Sequence, residues 1–276
     1  LDPPLHEFLP DKEELLVEVT KLQLTNGNSR ELIDKEHLLR KVHQLHEFNP
    51  MLGHRGCRLG MIYPEIYMMQ AKAIFYAITK VKQKGMNVQP EIMIPLVGHV
   101  NELKEMRKLV IDAGFQVQKE TGQEYHYPIG TMIEVPRAAL TADQIAQEAD
   151  FFSFGTNDLT QTTFGYSRDD AEGKFLQAYI ENKVLAENPF SFLDQEGVGK
   201  LIEMGVKLGR ETKKGLKTGI CGEHGGEKSS IQFCHDVGLD YVSCSPYRVP
   251  LARLAAAQAN IKNKQTQVVN ELQVHV

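Results

Sequence analysis

Short apolar runs alternate with amphipathic stretches along most of the chain, and this alternation constrains the fold more than any other feature. Together with an HRG segment at residues 54–56, the runs predict six βα units. The other five strands are predicted at residues 91–95, 129–135, 151–155, 218–221 and 241–245. Alternating strands and helices form parallel sheets with right-handed crossovers. The pattern therefore predicts an α/β fold, either an open doubly wound sheet or a (β/α)8 barrel. The chain contains neither a GxGxxG nor a Walker motif to favour the open sheet.

A helical region precedes these units. Asp11 can cap a helix over KEELLVEVTKLQL, and Ser29 can cap a second helix over RELIDKEHLLRKVHQLHEF, so we predict a helical insertion at about residues 11–48. Asn-Gly-Asn at 26–28 would separate the two helices, and the prolines within residues 1–10 predict an irregular start. A third, amphipathic helix is expected at 64–84, closed by Gly85.

Composition excludes several function classes. The 276 residues carry a formal charge of -5, which gives no reason to expect nucleic acid or an anionic membrane as a partner. No apolar run reaches the roughly 18 residues of a membrane span, and the start of the chain does not resemble a signal peptide. Four cysteines without a CxxC pair are typical of reduced thiols. We expect a soluble, cytoplasmic protein, and the initial Leu suggests a piece of a longer chain.

The run FFSFG is followed directly by Thr156, Asn157 and Asp158. An apolar run without alternation is typical of a strand covered on both faces. We predict that Gly155 turns the backbone there, which would leave the amides of Thr156 and Asn157 free to bind an anion, while Asp158 offers a metal ligand. Asn-Asp after a strand is also ordinary turn chemistry. The same design at other strand ends favours a site for a phosphorylated, metal-bridged substrate.

Two acids follow neighbouring predicted strands. Glu134 ends TMIEV and Asp158 follows FFSFG, so in a barrel both carboxylates would lie on one face. Two hard oxygen ligands that leave positions open for substrate are typical of Mg²⁺ or Mn²⁺, and ligands at zinc spacing are missing. A salt bridge from Glu134 to Arg137 or to a lysine is the alternative.

Arg55 and Cys221 complete the candidate site. Arg55 stands in HRG beside Gly56, which favours a guanidinium presented to phosphate or carboxylate, with a surface or capping arginine as the alternative. Cys221 follows the strand TGI and precedes a glycine-rich loop, so we expect its thiol to hang over the site as a general acid or a nucleophile. Glu223 and His224 could tune this thiol or simply hold the loop. The other three cysteines, Cys57, Cys234 and Cys244, fit small buried side chains.

Several long motifs show a family resemblance. The segments LDPPLHEFLP, NPMLGHRGCRLG, GTMIEVPRAAL, FFSFGTNDLTQTTFGYSRDDA and GICGEHGG resemble the carboxy-terminal domain of the pyruvate, phosphate dikinases, in the family of phosphoenolpyruvate (PEP)-utilising enzymes. The resemblance covers essentially the whole chain, residues 1–276. PEP synthases and enzyme I of the sugar phosphotransferase system share this domain, and they supply the alternative assignment.

The resemblance implies a (β/α)8 barrel that binds PEP or pyruvate with Mg²⁺ at the carboxyl ends of its strands. By motif matching, Glu134 and Asp158 would hold the metal and Cys221 would exchange protons with the methyl carbon of pyruvate. The residues expected to contact substrate are Arg55, Glu134, Gly155, Thr156, Asn157 and Asp158. A phosphohistidine would supply the phosphoryl group to the pyruvate enolate.

The resemblance also implies what this chain lacks. The first two barrel strands, each with a substrate-binding arginine, would precede residue 1, and the ATP-grasp and swivelling phosphohistidine domains would lie elsewhere. We therefore expect the chain alone not to run the ATP-dependent reaction. The family also implies a homodimer, and a non-catalytic dimerisation module is the remaining alternative. A plastid or a specialised organelle is a further possible compartment.

Overall fold

The structure, a computed structural model, describes residues 8–25, 27, 29–47 and 49–274, with side chains up to residue 264. The predicted irregular start thus lies largely outside the described residues, as do two of the three residues predicted to separate the first helices. The thirteen α-helices of the described part are α1 Lys12–Thr25, α2 Arg30–Leu45, α3 Cys57–Ile62, α4 Pro64–Gln83, α5 Val100–Thr121, α6 Pro136–Leu140, α7 Ala142–Ala146, α8 Thr156–Phe164, α9 Arg168–Lys174, α10 Leu176–Glu181, α11 Val198–Thr212, α12 Lys228–Val237 and α13 Val249–Val274.

One parallel sheet organises the molecule. It contains β1 Ile92–Ile94, β2 Ile129–Ile133, β3 Phe151–Gly155, β4 Lys217–Cys221 and β5 Tyr241–Val242. Its order is β1-β2-β3-β4-β5, and every neighbouring pair is parallel. The α/β fold and five of the predicted strands are thereby confirmed. In a sheet of this kind the carboxyl ends of all strands meet along one edge.

The HRG segment is not a strand, so the count of six was wrong. Its residues form a loop that leads into α3, and Gly56 has a φ of 58°. The amide of Cys57 donates to the carbonyl of Pro95 at 3.3 Å, and its thiol contacts the carbonyl of Leu96 at 3.4 Å. The segment therefore lies across the carboxyl end of β1 instead of beside it. This position still brings Arg55 to the edge where the predicted site residues lie.

The two helices predicted at the start of the chain are present as α1 and α2, and they pack against each other as a hairpin. The Asp11 carboxylate accepts from the amide of Glu14 at 2.8 Å, and the Ser29 hydroxyl accepts from the amide of Leu32 at 3.2 Å. Both bonds satisfy free amides in a first helical turn. The hairpin buries only a few side chains, namely Leu15, Val19, Leu32 and Val42. Within the described residues, no helix is long and apolar enough to cross a membrane.

The core packs around β3, whose five residues are all buried. Phe152 and Phe154 contact glycine positions on α11, since a Cβ at Gly209 would lie 2.7 Å from the first ring and one at Gly205 would lie 2.9 Å from the second. The two glycines let this helix approach the sheet closely. They hold the strand that carries the candidate site against a rigid support.

The amino end of β3 carries an ion pair that gives a first prediction. The Asp150 carboxylate accepts from the Ile129 amide at 2.8 Å and from Arg107 at 2.9 Å. Burial alone would raise its pKa, but these bonds outweigh burial and the pKa is lowered. A depressed pKa in the folded state stabilises the fold above the unfolded-state pKa of about 3.9, and this stabilisation is lost as pH falls through the folded-state pKa.

Asp150→Asn should therefore lower the free energy of unfolding at pH 7 by about 1–3 kcal/mol. The difference from the wild type should shrink as the pH falls below about 4. Urea titrations at a series of pH values measure both effects. Asp112→Asn, at an exposed position on α5, serves as the control and should show neither effect. A difference for Asp150→Asn that stays constant down to acidic pH would contradict this account.

Candidate active site

Strands β2, β3 and β4 bring the predicted site residues to one edge of the sheet. Ile133 pairs with Phe154, so Glu134 at the end of β2 lies beside Gly155 at the end of β3. Gly155 in turn pairs with Cys221, the last residue of β4. Residues far apart in sequence thus follow one another along a single edge. This arrangement is the convergence that the sequence predicted.

Glu134 is buried, with 1% of its surface exposed. Its Oε1 accepts from the amide of Leu96 at 2.6 Å, which fixes the carboxylate beside the end of β1. Gly155 leaves room for this side chain, because a Cβ there would overlap the Glu134 carboxylate and the Met132 methyl group. Arg137, the candidate salt-bridge partner, donates to the carbonyl of Gly98.

Arg55 reaches Asp158 across 103 positions of sequence. Its Nη1 lies 3.3 Å from Oδ1 of Asp158, and the arginine is 8% exposed. A guanidinium at this depth needs compensating charge. The pair places a fixed positive group next to a carboxylate at the strand ends. Such a positive group can bind the anionic part of a substrate. A cation could link the same substrate to the Asp158 carboxylate.

Cys221 is the last residue of β4, in agreement with the predicted strand at 218–221, and the glycine-rich loop begins directly after it. Burial raises the pKa of its thiol to about 11, and the carboxylates of Glu134 and Asp158 add to this increase. A hydrogen bond with Ser153 acts in the opposite direction. Both carboxylates therefore lie close enough to the thiol to raise its pKa. The thiol is protonated near neutral pH, which suits a proton donor better than a thiolate nucleophile.

Sequence reasoning missed two polar residues beside this thiol. Ser153, in the middle of β3, hydrogen-bonds with Cys221 and also with Tyr241 at the start of β5. Burial raises the pKa of the Tyr241 phenol, and the bond with Ser153 partly offsets this effect. A serine inside a run of phenylalanines was the available signal, since a buried hydroxyl needs a partner.

The stretch after Gly155 is a helix, contrary to the expected turn. Gly155 has a φ of -84° and caps α8, so its function here is to accommodate Glu134 and not to reverse the chain. The amides of Thr156 and Asn157 lie in the first turn of α8, where backbone amides lack intrahelical acceptors and can bind an anion. The Asn157 Oδ1 is buried and has no hydrogen-bond partner within the described part of the chain.

Glu223 and His224, which we considered as modulators of the thiol, make other contacts. Glu223 pairs with Arg168 at 3.1 Å. The two ring nitrogens of His224 lie 2.7 Å from the Thr156 hydroxyl and 2.9 Å from the Pro189 carbonyl. Both residues therefore hold the loop after β4 to other parts of the site.

Two cavities flank these residues. One of about 390 Å³ lies between the ends of β3, β4 and β5 and is lined by Asn157, Gly222, Glu223, Ser243, Cys244, Ser245 and Arg248. Another of about 170 Å³ lies on the side of Met51 and Asp158. Arg248, which we did not predict as a site residue, offers a second positive group. Both cavities are large enough for a ligand of a few heavy atoms, and each reaches the first turn of α8, the first at Asn157 and the second at Asp158.

The donor set is compatible with Mg²⁺. Among the described residues, no group of three or more His, Cys, Asp and Glu side chains could hold a metal ion by itself. Mg²⁺ is commonly bound through only one or two carboxylates, with water and substrate oxygens as the remaining ligands. Glu134 and Asp158 supply hard oxygens of this kind, and both act on the same thiol.

Comparison with known proteins identifies the family. Residues 3–261 match the model of the PEP-utilising enzyme, PEP-binding domain. The chain therefore belongs to this family. Similar curated proteins include pyruvate, phosphate dikinases: the one from Clostridium symbiosum is 59% identical over 266 residues, and the one from Entamoeba histolytica is 54% identical over 264 residues.

The chain corresponds to a part of these relatives. The alignment covers 96% of this chain and 29% of the Clostridium symbiosum protein, and 95% and 30% for the Entamoeba histolytica protein. A chloroplastic relative from Mesembryanthemum crystallinum is 55% identical over 94% of the chain and 26% of its own length. Among solved structures, a citrate lyase from Burkholderia xenovorans aligns with a TM-score of 0.41 at 15% identity, over 60% of this chain and 48% of that one. That likeness is too remote to carry an argument.

Proposed function

We propose that this chain is the PEP- and pyruvate-binding domain of a pyruvate, phosphate dikinase. In the complete reaction, ATP, pyruvate and phosphate would give AMP, PEP and diphosphate, and this domain would transfer the phosphoryl group between a phosphohistidine and the pyruvate enolate. The observation that carries the proposal is the convergence of Arg55, Glu134, Asp158 and Cys221 on one sheet edge, in a chain that matches the family over residues 3–261.

The chemistry begins with binding. Arg55 lies beside Asp158 and would contact the carboxylate or phosphate of the substrate, and the amides of Thr156 and Asn157 would donate to the same anion. Mg²⁺ held by Glu134 and Asp158 would stabilise the developing charge on the enolate oxygen. Glu134 is almost completely buried, so bulk water is largely excluded from this acid and its electrostatic interactions are strengthened.

Proton transfer would then use Cys221. When PEP loses its phosphoryl group to a histidine, the pyruvate enolate remains, and the protonated thiol can give its proton to the methylene carbon, leaving a thiolate. In the reverse direction the thiolate removes a methyl proton from pyruvate, and the electron pair moves onto the carbonyl oxygen. The raised pKa of the thiol means that the proton-donating form prevails near neutral pH.

We also propose that the sheet belongs to a (β/α)8 barrel. The five strands lie in sequence order and are all parallel, as they would be in such a barrel, and the site lies at their carboxyl ends. The five strands would need three more to complete a barrel of eight, and by the family resemblance the first two barrel strands would each add an arginine to the phosphate-binding face. The proposed partners are the swivelling phosphohistidine domain, the ATP-grasp domain and a second copy of the protein. The proposed compartment is the cytoplasm or a plastid. A domain of PEP synthase or enzyme I type is the alternative.

The test is the exchange of pyruvate methyl protons. The protein, at its natural full length, should exchange these protons with D₂O when Mg²⁺ is present, which proton NMR measures directly. Supplying either ATP with phosphate or a phosphocarrier protein would then separate the dikinase from the enzyme I alternative. The present chain alone should form no PEP from ATP. A folded full-length protein without exchange would reject the proposed chemistry and favour a dimerisation module.

A further inference from the structure

The buried histidine in the loop after β4 connects three parts of the molecule. His224 is fully buried, and its ring lies between Thr156 at the start of α8 and Pro189 in the segment that joins α10 to α11. Thr156 is equally buried, and its hydroxyl oxygen lies 3.0 Å from the carbonyl oxygen of Cys221. A single imidazole therefore links the first turn of α8 to the segment around Pro189.

The contacts define which ring nitrogen carries the proton. Burial lowers the pKa of His224, although the Pro189 carbonyl and the carboxylates of Glu223 and Glu227 oppose this effect. The neutral ring has one N–H group, and it must face the Pro189 carbonyl, which can only accept. Nε2 is therefore the protonated nitrogen, and Nδ1 is an acceptor. The Thr156 hydroxyl is the donor within reach of Nδ1.

Thr156 has one hydroxyl proton and two nearby acceptors, the His224 Nδ1 at 2.7 Å and the Cys221 carbonyl at 3.0 Å. The shorter contact, to the imidazole, fixes the rotation of this side chain. Gly222 packs closely against the same turn, because a Cβ at this position would lie 2.9 Å from the Thr156 hydroxyl and 3.1 Å from the Asn157 Oδ1. The start of α8 thus packs directly against the loop that carries His224.

We propose that His224 is a positioning residue for the substrate-binding turn. By accepting the Thr156 proton on Nδ1 while donating from Nε2 to Pro189, it fixes the first turn of α8, which presents Asn157 and Asp158 to substrate. The inference rests on the proposed function of this turn. It assigns His224 to substrate affinity, whereas proton transfer belongs to Cys221, whose thiol contacts Ser153 and the Phe154 carbonyl instead.

Two amide substitutions distinguish the roles of the two ring nitrogens of His224. The side-chain amide of His224→Asn reaches the position of Nδ1, and that of His224→Gln reaches the position of Nε2. In the full-length protein, His224→Gln should raise the KM for pyruvate in methyl-proton exchange by about tenfold or more, whereas His224→Asn should stay within about threefold of the wild type. In both variants kcat and the pH dependence of exchange should be close to wild type, because Cys221 is unchanged. His235→Gln, at the far end of α12, is the control.

Several outcomes decide the matter. Equal losses of thermal stability in both variants, with a wild-type KM, would reduce His224 to a structural residue and overturn the inference. If His224→Gln does not fold, nitrogen NMR of the wild-type imidazole replaces it: Nε2–H with a bare Nδ1 supports the inference, and Nδ1–H overturns it. Absence of exchange in the wild type would instead reject the proposed function, so the two failures are distinguishable.

Discussion

Replacing Cys221 by Ala is expected to abolish the exchange of pyruvate methyl protons in D₂O. A positioned acid or base typically contributes a factor of about 10² to 10⁴ to proton transfer, so the rate should fall at least 100-fold. Cys221→Ser should be similarly impaired, because a hydroxyl is a far weaker acid than a thiol with a pKa of about 11. Proton NMR of pyruvate, with Mg²⁺ and full-length protein, gives the rate directly.

The thiol also predicts the pH dependence of exchange in the wild type. Removal of a methyl proton requires the thiolate, and its population rises with pH as long as the pH is below the pKa of about 11. The exchange rate of the free protein should therefore increase with pH across the neutral range, and this dependence should be absent in Cys221→Ala.

A second cysteine provides the matched control. Cys234 is buried on α12 within the main core, and Cys234→Ala removes a thiol without touching the strand ends. This variant should exchange methyl protons at the wild-type rate if it is folded. Cys221→Ala itself should still bind PEP, which calorimetry can verify. Exchange that survives in Cys221→Ala at more than a tenth of the wild-type rate would remove the thiol from the mechanism.

The strands were predictable where burial on both faces left a clear pattern. The run FFSFG has no polar alternation apart from one serine, and all five of its residues are buried in β3. The HRG segment misled because glycines and an arginine before an apolar run also fit a loop that leads into a helix. Cys57 and Gly60, three positions apart in α3, are both buried, and this spacing fits one face of a helix.

The candidate site was predictable because parallel strands deliver residues to one edge. That rule alone placed Glu134, Gly155 and Cys221 side by side, and the register agrees. The beginning of α8 was not predictable from turn chemistry, since Thr-Asn-Asp favours both a turn and a first helical turn. The bond from the Thr156 hydroxyl to His224 spans 68 positions, and no local pattern indicates a contact of that range.

Glu134→Gln should separate stability from ligand binding. The substitution preserves volume. In the wild type the Leu96 amide donates to the Glu134 carboxylate at 2.6 Å, and the side-chain amide oxygen of the glutamine can accept the same bond. Removing a charge from a position that is 1% exposed relieves a desolvation cost, so the metal-free protein should not lose stability. The affinity for PEP with Mg²⁺ should nevertheless fall by at least about 100-fold, roughly 2.8 kcal/mol, because one hard anionic ligand is lost. Calorimetry of PEP binding and urea unfolding measure the two quantities.

Comparison with other variants decides whether Glu134 acts as a ligand or only as part of the fold. Asp158→Asn should lose PEP affinity to a similar extent and should also lose stability, because it weakens the pair with the largely buried Arg55. Glu203→Gln, at an exposed position on α11, removes one negative charge far from the strand ends and should change neither quantity. Wild-type affinity of Glu134→Gln for PEP at saturating Mg²⁺ would show that the buried carboxylate holds no metal. Asp158 with substrate oxygens would then have to bind the ion.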